Sequence, residues 1–209
     1  KETIDGKFMR TKESYKPTYT ISAKAINLIA EISALIEGIG LSNIDIQDLH
    51  LRKTNLIKTI QGSTAIEGNT LTEEQITAIL DGEKVIAPKK EIDEVLGVAS
   101  AYEQIQKIDP TKVNNILHIH KIMMENLVEE SGTFRTKQVG VIDASGNVIH
   151  MPPPSSLVPT LIKDLVKWLN RTEEHPLIKS CIFHYEFEFI HPFIDGNGRV
   201  GRYLQTSIL

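Results

Sequence analysis

His191-Pro-Phe-Ile-Asp-Gly-Asn-Gly-Arg-Val-Gly-Arg202 is the stretch on which the reading of this chain turns. Gly196 and Gly198 let the main chain turn sharply and approach a ligand closely. A helix starting at about Gly198 would present unpaired N–H groups and a positive dipole end, both suited to phosphate. Arg199 and Arg202 are three apart and so share a side of that helix, and their planar guanidinium forks match phosphate oxygens. Asp195, at the loop entrance, is placed to hold magnesium, which takes one or two carboxylates and keeps most of its waters. His191 precedes the loop and can accept a proton near neutral pH. Together these are the parts of phosphoryl-type transfer, whose chemistry is mostly positioning and charge stabilisation.

Narrower readings of the stretch fail. Residues 196–201 match G-x-G-x-x-G, but that dinucleotide fingerprint follows a strand, and the residues before this loop read as helix. Asp195-Gly-Asn197 has the look of a calcium-loop start, yet Arg199 and Thr206 fall at ligand positions. A plain glycine-capped helix start leaves the company of His, Asp, Asn and two Arg unaccounted for.

Working outward, most of the chain reads as helix. Apolar residues recur at helical spacing over Ile21–Ile36, and a second helix runs from Ile46 to about Glu67. It should stop at Gly68-Asn69, which accept the left-handed conformation. Thr72 and Gln75 form a capping box for the next helix, with Leu71 and Ile76 as a hydrophobic staple. Further helices are expected at Glu91–Ile108, Val113–Val128, Pro159–Asn170, with proline near its start, and Pro176–Phe189. Gln138 to His150 breaks the pattern with two short β-favouring runs around Asp143-Ala-Ser-Gly-Asn147, the mark of a hairpin whose turn Asp143 serves. The prolines at 152–154 close it in a stiff, extended segment.

The bulk properties narrow the class. The 209 residues carry a net charge of −4, so no general attraction to nucleic acid or to anionic membrane is expected. No apolar run is long enough to span a bilayer, and residues 1–15 lack the apolar stretch of a signal peptide. The single cysteine, Cys181, excludes an internal disulfide framework and suits a reducing compartment, the cytoplasm. The chain begins without Met and stops at Leu209 within a helical pattern, so a protein continuing past its C-terminal end is expected.

At its specified positions the stretch from His191 to Arg202 resembles the Fic signature, H-P-F-x-[D/E]-G-N-G-R-x-x-R. Gly132-x-x-Arg135, the hairpin, the proline run and the helix bearing Trp168 lie where that family has comparable elements. The resemblance implies a mainly α-helical bundle with one β-hairpin flap, at about 138–150, and an N-terminal helical region packed on the active site. The corresponding division is a helical region over 1–105 and a Fic core over 106–209. The implied activity is ATP-dependent transfer of AMP to a Ser, Thr or Tyr hydroxyl of a protein, its own chain included. In that role His191 is the general base and Asp195 holds Mg2+ between the α- and β-phosphates. Gly196, Asn197 and Gly198 form the anion hole, and Arg199 and Arg202 take the outer phosphates. The flap would hold a target strand, clamped by Val141 or Ile142.

Residues 63–68, Ser-Thr-Ala-Ile-Glu-Gly, resemble the inhibitory motif [S/T]-x-x-x-E-[G/N] of regulated Fic proteins. Ser63 and Glu67 are four apart, on one helical face. Glu67 can pair bidentately with Arg202 and deny it to the γ-phosphate. Two other functions stay open at this point: removal of AMP from a modified protein, and a non-catalytic nucleotide-binding module. His118 and His120, two apart on a helix, make a poor metal pair. His184 reads as a hydrogen-bonded core histidine, and Cys181 and Trp168 as core.

Overall fold

The structure is a computed structural model that describes residues 16–41, 49–142 and 145–209. It is mainly helical: α1 (Ala23–Leu41), α2 (Leu49–Ala65), α3 (Glu73–Leu80), α4 (Lys89–Tyr102) and α5 (Val113–Met124) precede the hairpin β1 (Val141–Ile142) and β2 (Val148–His150), and α6 (Val158–Arg171), α7 (Pro176–Ile190) and α8 (Asn197–Ile208) follow it. The expected start of the second helix at Ile46, and the turn residue Asp143, lie outside the described residues.

Local signals set most boundaries. The N–H of Asn69 reaches Thr64 O and that of Gly68 reaches Ala65 O, with Gly68 at φ 92. This paired bond pattern, closed by a left-handed glycine, ends α2 and leaves Glu67 as its last capping residue. Thr72 and Gln75 exchange side-chain to main-chain hydrogen bonds at the start of α3, and Leu71 and Ile76 are buried in one cluster, as a staple requires. The helix expected over 91–108 is shorter: α4 stops at Tyr102, and a 3-10 turn at Ile105–Lys107 leads to Asp109, which Pro110 holds out of helical geometry. The hairpin is antiparallel, with Val141 opposite His150 and Ile142 opposite Val148, so Ile149 is an extra, bulged residue.

Two buried clusters meet at α4. Ile57 and Ile60 of α2, Ile76 and Ile79 of α3 and Val95, Val98 and Ala99 of α4 form one. The other joins α5 to α8 through Ile119, Met123, Ile162, Leu165, Phe183, Phe187, Val200 and Leu204. Tyr102 packs on both, and α7 and α8 lie against each other with the signature loop between them. The N-terminal helices α2 and α4 thereby reach α8.

Helix α1 behaves otherwise. Its apolar residues have helical spacing, yet Ile26, Leu35 and Ile36 are exposed, Leu35 by 69%. Tyr19, just before it, donates to Glu174 at 2.8 Å and meets Trp168 edge to face. Cys181 is exposed rather than core, because its side of α7 faces the groove along Ala25, Leu28 and Ile32 of α1. Trp168 is half-buried at the margin of the larger cluster.

Candidate active site

The site is built around the break between α7 and α8. His191 caps α7 in the left-handed region, φ 50 and ψ 64, the one non-glycine residue with positive φ among those described. Such a conformation is uncommon outside glycine and marks a constrained position. The loop beyond it is braced from within: the Asn197 side chain accepts from Phe193 N–H at 2.8 Å and donates to Phe193 O at 2.9 Å. Gly196, at φ 81, has no room for a side chain, since a Cβ there would lie 2.7 Å from Met124 Sδ. The first-turn N–H groups of α8, from Asn197 to Arg199, have no carbonyl one helical turn back to pair with. Asn197, expected in the anion hole, can thus offer its main chain there while its buried side chain ties the loop.

Two residues outside the signature hold this loop in place. His120 of α5 is buried and stacked on Phe193, ring centroids 3.7 Å apart. Its Nδ1 accepts from Gly132 N–H at 2.8 Å, so the proton sits on Nε2, which donates to Asp195 O at 3.0 Å. Burial pushes its pKa down to about 4, which keeps the ring neutral and this tautomer intact. His118, two residues earlier, is exposed, and the spacing of the two gave no sign of this bridging role.

Arg135, only 2% exposed, stitches the hairpin stem to the loop. It donates to His191 O at 2.7 Å, Lys137 O at 3.1 Å and Pro153 O at 2.5 Å, and its own N–H reaches Pro192 O at 2.9 Å. Arg135→Met would leave several buried carbonyls unpaired and is expected to cost about 2–4 kcal/mol in denaturant unfolding. A loss under about 0.5 kcal/mol would show that water replaces the guanidinium without cost.

The charged groups form two linked sets. Asp195, its side chain 49% exposed, accepts at Oδ1 from Gly196 N–H at 2.5 Å and from Arg199 Nη2 at 3.0 Å. Arg199 is buried, and its Nη1 pairs with Glu94 of α4. Beside the outer-phosphate role expected of Arg199 there is a partner the spacing did not reveal, a carboxylate that α4 brings onto the guanidinium from 105 residues away. Arg202 is more open: Nε donates to Ser63 Oγ at 3.1 Å, and Nη2 donates to Ser63 O at 2.8 Å and Glu67 Oε1 at 2.7 Å. The fork is therefore shared between Ser63 and Glu67 rather than bidentate on Glu67. A Cβ at Gly198 would lie 2.6 Å from Glu67 Oε1 and 2.9 Å from Arg202 Nη1. The Glu67 carboxylate thus lies over the first turn of α8, where an anion is favoured.

Burial also lowers the pKa of His191, helped by the charges of Arg135 and His150. A hydrogen bond with the Glu188 main chain and the charge of Asp195 act the other way without reversing the shift. Glu188, three residues earlier, is pushed up to about 7, chiefly by burial and against the pull of Arg202. His184 was expected to be hydrogen-bonded, but its Nδ1 has no partner among the described residues. It lies with Glu188 against Gly201, the position where α8 gives these side chains room.

Residues 110–209 match the Fic/DOC family. A protein adenylyltransferase Fic of Drosophila yakuba is 35% identical over 169 residues, 76% of this chain and 33% of that protein. The chain thus spans about a third of the length of such curated relatives. A Fic family protein from Desulfovibrio desulfuricans G20 superposes with a TM-score of 0.88 at 47% identity, covering 93% of this chain and 59% of that one. A Fic-domain-containing signalling protein from Bacteroides thetaiotaomicron gives 0.71 at 25% identity, with 81% and 68% covered. With the complete signature running from the end of α7 into α8 and this likeness extending through the N-terminal helices, the chain belongs to the Fic family.

Proposed function

We propose that the chain is a protein adenylyltransferase that moves AMP from ATP to a Ser, Thr or Tyr hydroxyl of a protein, restrained by Glu67. The observation that carries the reading is the unpaired first turn of α8, entered from a single constrained loop that holds both His191 and Asp195. The main chain of Asn197 and Gly198 receives phosphate oxygens, Gly196, expected with them, has its N–H on Asp195 Oδ1, and Arg202, once free of Glu67, takes an outer phosphate. The target oxygen attacks the α-phosphorus and its proton passes to Nε2 or Nδ1 of His191. The bond to the bridging oxygen breaks, and pyrophosphate leaves.

Asp195 fits magnesium: it is half exposed, and Oδ2 has no hydrogen-bond partner among the described residues while Oδ1 is fixed. A single carboxylate beside substrate phosphates is how this ion is commonly held. When bound, the ion neutralises charge developing on the leaving pyrophosphate. The hairpin edge, with Val141, offers main-chain groups to an extended target segment. The lone cysteine supports a reducing compartment, the cytoplasm.

The test incubates Glu67→Gly with magnesium and ATP labelled on either the α- or the γ-phosphate, with cell lysate as the source of targets. Label is expected in protein from the α-position alone, and none with His191→Ala. Label from the γ-position would mean phosphoryl transfer instead. ATP binding without label from either position would leave AMP removal or a binding module, and release of AMP from a modified protein by the Glu67-intact chain would select removal.

A further inference from the structure

Glu94 belongs to no signature, yet it is the buried junction between the brake turn and the metal-side carboxylate. Its Oε1 pairs with Arg199 Nη1, and its Oε2 accepts from Asn69 Nδ2 at 2.9 Å. Asn69 stands two residues after Glu67, and its amide also donates to Glu91 O at 3.1 Å. On the far side Arg199 Nη2 reaches Asp195 Oδ1. The chain of contacts thus runs unbroken from the turn after α2, through α4, to the loop before α8.

Charge decides what this arrangement does. Glu94 and Arg199 are 5% and 4% exposed, so water screens neither effectively. While Glu94 offsets the charge of Arg199, the guanidinium competes less with a cation for the Asp195 carboxylate. Without Glu94, the whole charge of a buried guanidinium falls on Asp195 and opposes a metal ion at the same carboxylate. The guanidinium also loses the partner that aims it, leaving a buried cation half-paired.

We propose that Glu94 is a positioning residue for the transfer reaction: it holds Arg199 and offsets its charge, so that Asp195 stays oriented with one carboxylate oxygen turned to the metal rather than drawn wholly onto the guanidinium. The proposal rests on the adenylyl-transfer reading for its kinetic consequence, though not for the structural one.

The test places Glu94→Gln, which keeps shape and removes charge, and Glu94→Asp, which keeps charge, in the Glu67→Gly background. Transfer from α-labelled ATP is followed against magnesium concentration. Glu94→Gln is expected to raise the half-saturating magnesium roughly tenfold, with KM for ATP at saturating magnesium changed less than twofold. Glu94→Asp should recover most of the magnesium response. An unchanged magnesium curve in Glu94→Gln overturns the proposal. Amide hydrogen exchange without nucleotide supplies the second readout. Faster exchange confined to residues 67–69 and 195–199 supports positioning, whereas equal exchange there, or an equal rise across α6, overturns it. If the Glu67→Gly parent itself transfers no label, the transfer reading falls, and the exchange result still decides the role of Glu94.

Discussion

Glu67→Gly is expected to raise AMP transfer at least tenfold over the unaltered chain. Arg202 and Glu67 are 22% and 28% exposed, and an ion pair that open is worth only about 1 kcal/mol by itself. The larger part of the effect is occupancy. The carboxylate lies over the first turn of α8, where the geometry at Gly198 leaves 2.6 Å between Glu67 Oε1 and a notional Cβ. A phosphate and this carboxylate cannot share that space, and like charges resist it further. A closed arrangement favoured by roughly 1.4–3 kcal/mol in total holds activity down ten- to a hundredfold. Glu67→Gln should give a smaller gain, because it removes charge while leaving bulk. Adding Arg202→Ala should cancel only part of the gain, since the vacated space over α8 remains while the arginine for the outer phosphate is lost. Equal rates for Glu67→Gly and parent would dismiss the brake. If that variant instead lost an AMP-releasing activity, Glu67 would be part of the machinery for removal.

What the sequence disclosed and what it hid divide along a physical line. Local chemistry was legible: the Gly68-Asn69 stop, the Thr72–Gln75 box and proline near the start of α6 depend on residues within one turn. The signature was legible because its loop, His191 to Arg202, is continuous. Long-range partners were not. Three-residue spacing puts Arg199 and Arg202 on one side of α8, but it cannot say that α4 brings Glu94 to the first and α2 brings Ser63 and Glu67 to the second. His120 looked unremarkable because its two hydrogen bonds go to residues 132 and 195. Cys181 read as core because apolar spacing on a helix does not distinguish a face turned to the core from one turned to a groove. The same ambiguity hid the exposure of Leu35 and Ile36 on α1.

His191→Ala is expected to lower transfer by about 10²–10⁴-fold, the usual contribution of a positioned general base, while leaving ATP affinity nearly unchanged. Binding is assigned to the first turn of α8 and to Arg202, none of which the imidazole touches among the hydrogen bonds seen here. The acid limb of the pH profile gives an independent check. Burial depresses the His191 pKa, with Arg135 and His150 adding to the effect. A base must be neutral to accept the target proton, so a lowered pKa keeps it competent at more acid pH. Transfer by Glu67→Gly should therefore hold its rate as pH falls through the ordinary histidine value near 6.5 and decline only below it. Glu188, pushed up to about 7, titrates on the other side of that value; Glu188→Gln removes its contribution and should leave the acid limb below 6.5. An acid limb at or above 6.5 in both proteins would mean that the proton is taken by a group other than a buried His191. Combined with full activity in His191→Ala, that outcome would remove the histidine from the mechanism altogether.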